Sequence, residues 1–158
     1  MSAAAGNAYF GRRYTLSASH RLHSDALTEA ENSAVYGKCN NPHGHGHNYV
    51  VEVIVGGAVD PETGMVCDLV ELDACVRKEI LDRFDHTNLN THACFQDVVP
   101  STENFNIVIH RLLKSAFRKA ELSAVRVEET SNNSFEYPVE ARGGRPVYAR
   151  IHGKGSAV

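Results

Sequence analysis

The sequence predicts an α+β domain, a largely antiparallel sheet in the order β-β-α-α-β-β with two helices on one face. Three observations carry that reading. Stretches near both ends of the chain alternate apolar and polar residues with a period of two. Two stretches between them place apolar residues at helical spacing, and segments rich in Gly, Asn and Pro separate the elements.

The first strand is expected over Tyr14–Leu22, where Tyr14, Leu16, Ala18, His20 and Leu22 share one face and Arg13, Thr15, Ser17, Ser19 and Arg21 the other. Residues 23–44 read as a loop ending in Cys39-Asn-Asn-Pro-His-Gly44. A second strand starts at His45, with His45, His47, Tyr49, Val51, Val53 and Val55 on one face. Gly56-Gly57 and Asp60-Pro-Glu-Thr-Gly64 read as the turns that close it.

Asp68 is placed as an N-cap, with Glu71 completing a capping box. The helix it opens carries Leu69, Leu72, Val76, Ile80 and Phe84 on its apolar stripe. Ser101 or Thr102 caps a second helix with Phe105, Val108, Ile109, Leu112 and Ala116 inward. A third strand is expected over Ala124–Thr130, with Val125, Val127 and Glu129 on one face, and a fourth through Phe135, Tyr137 and Val139. Such a sheet keeps exposed edges unless it pairs with other chains, so oligomerisation is expected.

The 158 residues, 42% apolar and 22% charged, suit one globular domain and exclude a disordered or collagen-like chain. A net charge of −3 argues against a general nucleic-acid binder with a broad basic footprint. Met1–Phe10 lacks a charged stretch followed by an apolar core, so no signal peptide is read. No apolar run approaches the roughly 20 residues that span a bilayer, so no membrane partner is expected. Cys39, Cys67, Cys75 and Cys94 form no C-x-x-C pair, which points to free thiols in a cytoplasmic protein.

Nine histidines are the unusual feature, and five of them (His20, His23, His43, His45 and His47) fall between residues 20 and 47. His45 and His47 are two apart on one strand, so their imidazoles point the same way. If the first two strands pair, His20 joins them, giving three ligands with one tetrahedral position free, the layout of a catalytic zinc site. Taken singly, His20 reads rather as a packed core or surface histidine. Cys39 remains open between a fourth metal ligand and a reactive thiol.

Glu129 on an apolar strand face needs a partner to offset its burial. One possibility is a ligand presenting adjacent N–H donors, since a carboxylate accepts two such bonds at once. Asp85-His86 follows a helix end; an aspartate next to a histidine is common by chance, and alone the pair reads as structural.

Together these pieces resemble the 6-pyruvoyltetrahydropterin synthase family over roughly residues 10–140. The stretches that carry the resemblance are Leu16-Ser-Ala-Ser-His-Arg-Leu-His23, Gly37-Lys-Cys-Asn-Asn-Pro-His-Gly-His-Gly-His-Asn48 and Asp60-Pro-Glu-Thr-Gly-Met65. Leu81-Asp-Arg-Phe-Asp-His-Thr-Asn-Leu89, Ser101-Thr-Glu-Asn104 and Val127-Glu-Glu-Thr-Ser-Asn-Asn133 complete it. The Cys-to-His-Gly-His stretch is the specific one; the others corroborate by position.

The resemblance implies the tunnelling fold (T-fold), in which sheets of several subunits join into a barrel, usually as a homohexamer of two trimers. It implies conversion of 7,8-dihydroneopterin triphosphate to 6-pyruvoyl-5,6,7,8-tetrahydropterin with loss of triphosphate, in tetrahydrobiopterin synthesis and without a nicotinamide. It further implies Zn2+ on His20, His45 and His47, Cys39 as proton acceptor, and Asp85 and His86 as the pair that relays its proton. Glu129 anchors the pterin and is sometimes placed in the relay, and Thr102 and Glu103 match pterin-contacting positions.

The chemistry agrees with these residue types. A zinc ion polarises side-chain hydroxyls and acidifies the neighbouring C–H, and a thiol near a cation and an imidazole ionises readily. Lys38 is a candidate for the triphosphate. Ser131, where many animal members carry an acid, and His43, where a small or polar residue is frequent, depart from the family pattern without removing a named role. Residues 141–158 extend past the family's usual end and carry mainly basic charges (Arg142, Arg145, Arg150, Lys154).

Two competitors remain at the level of sequence. A 6-carboxytetrahydropterin synthase of the same fold usually has a shorter insert before the second metal motif and a cysteine nearer to it; Ser24–Val35 and the Cys39-to-His45 spacing favour the pyruvoyl class. A zinc-stabilised binding protein without turnover would use Cys39 as a ligand. His23, His43, His92, His110 and His152 receive no role.

Overall fold

The computed structural model describes residues 6–139, so the tail at 141–158 and His152 lie outside the described residues. The chain runs β1 (Asn7–His20), α1 (Glu29–Tyr36), a tight turn (Gly37–Asn40) and β2 (His45–Ala58). It continues through α2 (Leu69–Val76), whose helix widens at Arg77–Leu81 and closes at Asp82–Phe84, to β3 (Thr87–Asn88). After short turns come α3 (Thr102–Ala116), β4 (Glu121–Glu128) and β5 (Ser134–Tyr137).

The strands form one five-stranded sheet in the order β3-β1-β2-β4-β5. All its pairs are antiparallel except β3 against β1. The α+β architecture with a largely antiparallel sheet is therefore as expected. The long β1–β2 hairpin fixes the register that matters, setting His20 opposite His45 and Ala18 opposite His47.

One sheet face is dry. Leu16 and Ala18, Tyr49, Val51, Val53 and Val55, and Leu122, Val125 and Val127 are buried there. Leu72, Val76, Ile80 and Phe84 of the α2 segment and Phe105, Ile109 and Leu113 of α3 pack into the same core. Each such aliphatic or aromatic side chain contributes about 1.5–3 kcal/mol when fully buried. The other face carries Arg13, Ser17, Ser19, Asn48 and Glu52, as strand alternation requires.

Several boundaries differ from expectation. β1 stops at His20 rather than Leu22, because the Arg21 main chain is satisfied by a side chain: Asn90 Oδ1 accepts from its N–H at 2.7 Å and Asn90 Nδ2 donates to its carbonyl at 2.9 Å. Residues 23–44 are not all loop. Thr28 and Glu31 form a full capping box that opens α1, and buried Asn32 ties the segment to Ser24, Leu27 and Thr28. Gly56 and Gly57 belong to β2 instead of a turn. A Cβ at Gly56 would stand 2.7 Å from the Tyr9 ring on the neighbouring strand, so glycine here makes room for an aromatic.

Asp68 caps α2 by accepting from the N–H groups of Val70 and Glu71. The Glu71 side chain faces Lys119 at 3.5 Å, so the expected box is half formed. Ser101 caps α3. β4 runs from Glu121 to Glu128, earlier than Ala124–Thr130, and β5 ends before Pro138, which has no N–H for a ladder. Val139 is exposed.

Candidate metal centre and its surroundings

Strand parity and the β1–β2 register bring His20, His45 and His47 together, with one ligand atom of each within 4.8 Å of the others. Among the described residues this is the cluster able to hold a metal ion, and Cys39 is not part of it. His20 is 1% exposed. Its Nδ1 lies 2.7 Å from the Pro100 carbonyl, which can only accept, so Nδ1 carries the proton and Nε2 presents a lone pair. An outer carbonyl orienting a ring in this way is the usual support of a metal-ligating histidine.

The remaining atoms fit an ion better than they fit each other. His20 Nε2 and His45 Nε2 are 3.1 Å apart, close to the about 3.3 Å that two ligands of a tetrahedral zinc show at 2.0–2.1 Å bond lengths. His47 Nε2 is buried without a hydrogen-bond partner. Burial pushes the His20 and His47 imidazoles below the ordinary histidine range, and neutral rings are what a metal requires.

Glu129 stands at this cluster, as the first residue beyond β4. Its Oε1 accepts from the Thr102 hydroxyl at 2.6 Å and lies 3.7 and 3.6 Å from the Nε2 atoms of His20 and His47. Thr102, at the start of α3, is buried and thereby fixes one carboxylate oxygen. Glu103, next in sequence, is exposed and makes no bond to the group.

Tyr49 was missed at the sequence level. Its fully buried phenol lies beside the rings of His47 (centroids 5.5 Å) and Phe105 (5.4 Å). Its ionisation is pushed up, first by burial and then by the charge of Glu129, and Cys39 lies near enough to act on it too. Its place two residues beyond His47 on the same face was the available signal. Pro100 acts through its main chain, which no residue pattern marks.

Cys39 rides on the turn after α1. That turn is laced to the end of β1: Cys39 O accepts from Leu22 N at 2.9 Å, Asn40 O from Arg21 Nε at 3.0 Å, and Asn40 Nδ2 donates to Leu22 O at 2.8 Å. The thiol is half-buried; like buried Cys67, half-buried Cys75 and exposed Cys94, it is free of any disulfide.

Asp85 and His86 are not brought to this cluster within one chain. Asp85 Oδ1 accepts from Ser17 N at 2.7 Å, which holds its carboxyl below the usual range, and His86 N donates to Ser17 O at 2.6 Å. His86 Nδ1 lies 3.0 Å from Asp85 Oδ1. The His86 side chain is 81% exposed and borders an open groove of about 450 Å³, lined by Ser17, Ser19, Gly46 and Asn48 of the outer sheet face and also by Ala18 and His47. No helix among the described residues is long and apolar enough to cross a membrane.

A family model described as 6-pyruvoyl tetrahydropterin synthase matches residues 9–140. A 6-pyruvoyl tetrahydrobiopterin synthase of Poecilia reticulata is 45% identical over 130 residues, 82% of this chain and 88% of that protein. The Homo sapiens protein of the same name is 45% identical over 134 residues, 84% and 92% of the two chains. The solved structure of Caenorhabditis elegans 6-pyruvoyl tetrahydropterin synthase superposes with a TM-score of 0.81 at 42% identity, covering 84% of this chain and 96% of that one.

Proposed function

The chain belongs to the 6-pyruvoyl tetrahydropterin synthase family, and we propose that it converts 7,8-dihydroneopterin triphosphate to 6-pyruvoyl-5,6,7,8-tetrahydropterin with release of triphosphate, as a lyase of tetrahydrobiopterin synthesis. The observation that carries the site assignment is the convergence of His20, His45 and His47, with an orphaned buried nitrogen, beside a carboxylate that Thr102 holds in place. His20, His45 and His47 would hold Zn2+. When bound, zinc supplies Lewis-acid polarisation of the substrate's side-chain hydroxyls, which acidifies the adjacent C–H.

The chain's own residues then divide the work. Glu129 accepts the paired N–H donors of the pterin's amino edge, with Thr102 fixing its second oxygen, and Glu103 would close over the ring from the helix start. Cys39 Sγ, near enough to Tyr49 to act on its ionisation, takes the proton from the side-chain carbon. Asp85 and His86 receive that proton from Cys39. Because the pair borders the outer sheet face and the triad faces the core, this relay requires the Asp85–His86 of a neighbouring subunit.

That requirement supports the homohexamer of two trimers, as does the outer edge of β1, where β3 covers only Ala18 and Ser19 among the described residues. Four free thiols support a cytoplasmic setting. We assign residues 1–140 to the catalytic domain and 141–158 to an extension. Incubation with dihydroneopterin triphosphate, with and without a chelator, tests the reading by product identity. The 6-pyruvoyl product is expected, lost on chelation and restored by Zn2+. A 6-carboxytetrahydropterin product, or turnover indifferent to chelation, overturns it.

A further inference from the structure

The Asp85–His86 turn is held by side chains to which the sequence reading gave no role. His86 has φ +58, a left-handed conformation that is uncommon for a residue with a Cβ and persists only where its surroundings impose it. Two bonds to the Ser17 main chain hold the inner side of this turn: the Asp85 carboxylate accepts from Ser17 N–H and His86 N–H donates to Ser17 O. Its two ends are joined by one hydroxyl. Thr87 Oγ1 donates to the Phe84 carbonyl at 2.8 Å, which closes the loop of backbone containing Asp85 and His86.

A threonine hydroxyl has a single proton, so a second contact must be one in which it accepts. That contact is His92 Nε2 at 2.9 Å, which fixes His92 as the Nε2–H donor. The His92 ring in turn packs on Phe84 (centroids 4.9 Å), and Phe84 is anchored in the core. The links run from core to turn and back: Phe84, His92, Thr87, Phe84 carbonyl.

We propose that Thr87, supported by His92, is a positioning residue that holds the exposed His86 imidazole in its relay geometry. The inference rests on the reading of Asp85–His86 as the proton relay. Without the Thr87 bridge the far end of the turn keeps its two-residue pairing with β1 but loses its tie to Phe84, and an imidazole exposed to water samples rotations that the relay cannot use. A misplacement of about 1 Å at a reacting group can cost on the order of a hundredfold in rate.

The test uses the full chain, zinc-loaded, with Thr87→Val, Thr87→Ser and His86→Ala, alone and combined. Thr87→Val is expected to lower kcat roughly ten- to hundredfold with KM unchanged, to leave zinc content intact, and to speed hydrogen exchange at the His86 amide. Thr87→Ser, which keeps the hydroxyl, restores kcat. In the His86→Ala background Thr87→Val costs no further turnover, since the two act as a unit. Full activity of Thr87→Val, or an equal loss in both backgrounds, overturns the positioning role while leaving the relay. Full activity of His86→Ala overturns the relay reading and this inference with it.

Discussion

His20, His45 and His47 stand on paired strands against the core, whereas His86 stands on a left-handed turn at the edge of the sheet with most of its side chain in water. The first region is made of regular structure. Fourteen residues of each strand fix three rings relative to one another, and burial keeps two of them neutral. The second is made of exceptions to regular structure: a widened helical turn, a residue of positive φ, and a single parallel strand pair. Metal ligation needs separations held to a fraction of an ångström, which a hairpin supplies. The proton relay proposed between subunits would need reach, which an exposed turn supplies.

The contrast breaks most visibly at the ligands. His45→Ala should leave the purified protein without stoichiometric zinc by elemental analysis. The loss of several kcal/mol of Lewis-acid stabilisation lowers kcat/KM on the order of a thousandfold. Full zinc occupancy in this variant would remove His45 from the site. Cys39→Ala comes next and separates the two roles of the thiol. As a base its loss costs roughly 10²–10⁴ in kcat with zinc and pterin binding kept; a loss of zinc would instead make Cys39 a ligand, against its absence from the three-histidine cluster. Glu129→Gln is smaller. A charge-assisted acceptor lost from the pterin edge weakens binding about ten- to hundredfold, read by titration with a non-reacting pterin.

The same contrast explains what was legible from sequence. Alternation along Leu16–His20 and His45–Val55 follows directly from strand geometry, so the shared face of the triad is legible in the sequence. The capping residues Asp68 and Ser101 were equally plain. What escaped was set by contacts distant in sequence. Gly56 looked like a turn because the Tyr9 ring that needs its missing Cβ lies on another strand. α1 was hidden in a polar segment although Thr28 and Glu31 carry its cap. Asp85 and His86 stand out as an adjacent pair at a helix end and take their role from the resemblance, but their position is fixed by bonds to the Ser17 main chain, a partner that no residue pattern marks.

The smallest expected effect concerns the triad without its metal. In the folded chain burial lowers the proton affinity of His20 and His47, whereas in the unfolded chain both titrate near 6.5. The unfolded state therefore binds more protons below about pH 6.5, and stability falls as pH drops through that value. Each group contributes a slope of at most about 1.4 kcal/mol per pH unit. For a chain of this size, a loss of 1 kcal/mol lowers Tm by about 2–4 °C. Chelator-treated protein should accordingly hold a level Tm above about pH 7 and decline below about 6.5. Asp73, held low by Arg12, and Asp85, held low by the Ser17 N–H, add a separate loss only below about pH 4, where unfolded carboxyls take up protons. A Tm that stays flat between about pH 7 and 5.5 would mean that the buried rings are not held neutral by desolvation, and the two regions would then differ in geometry alone.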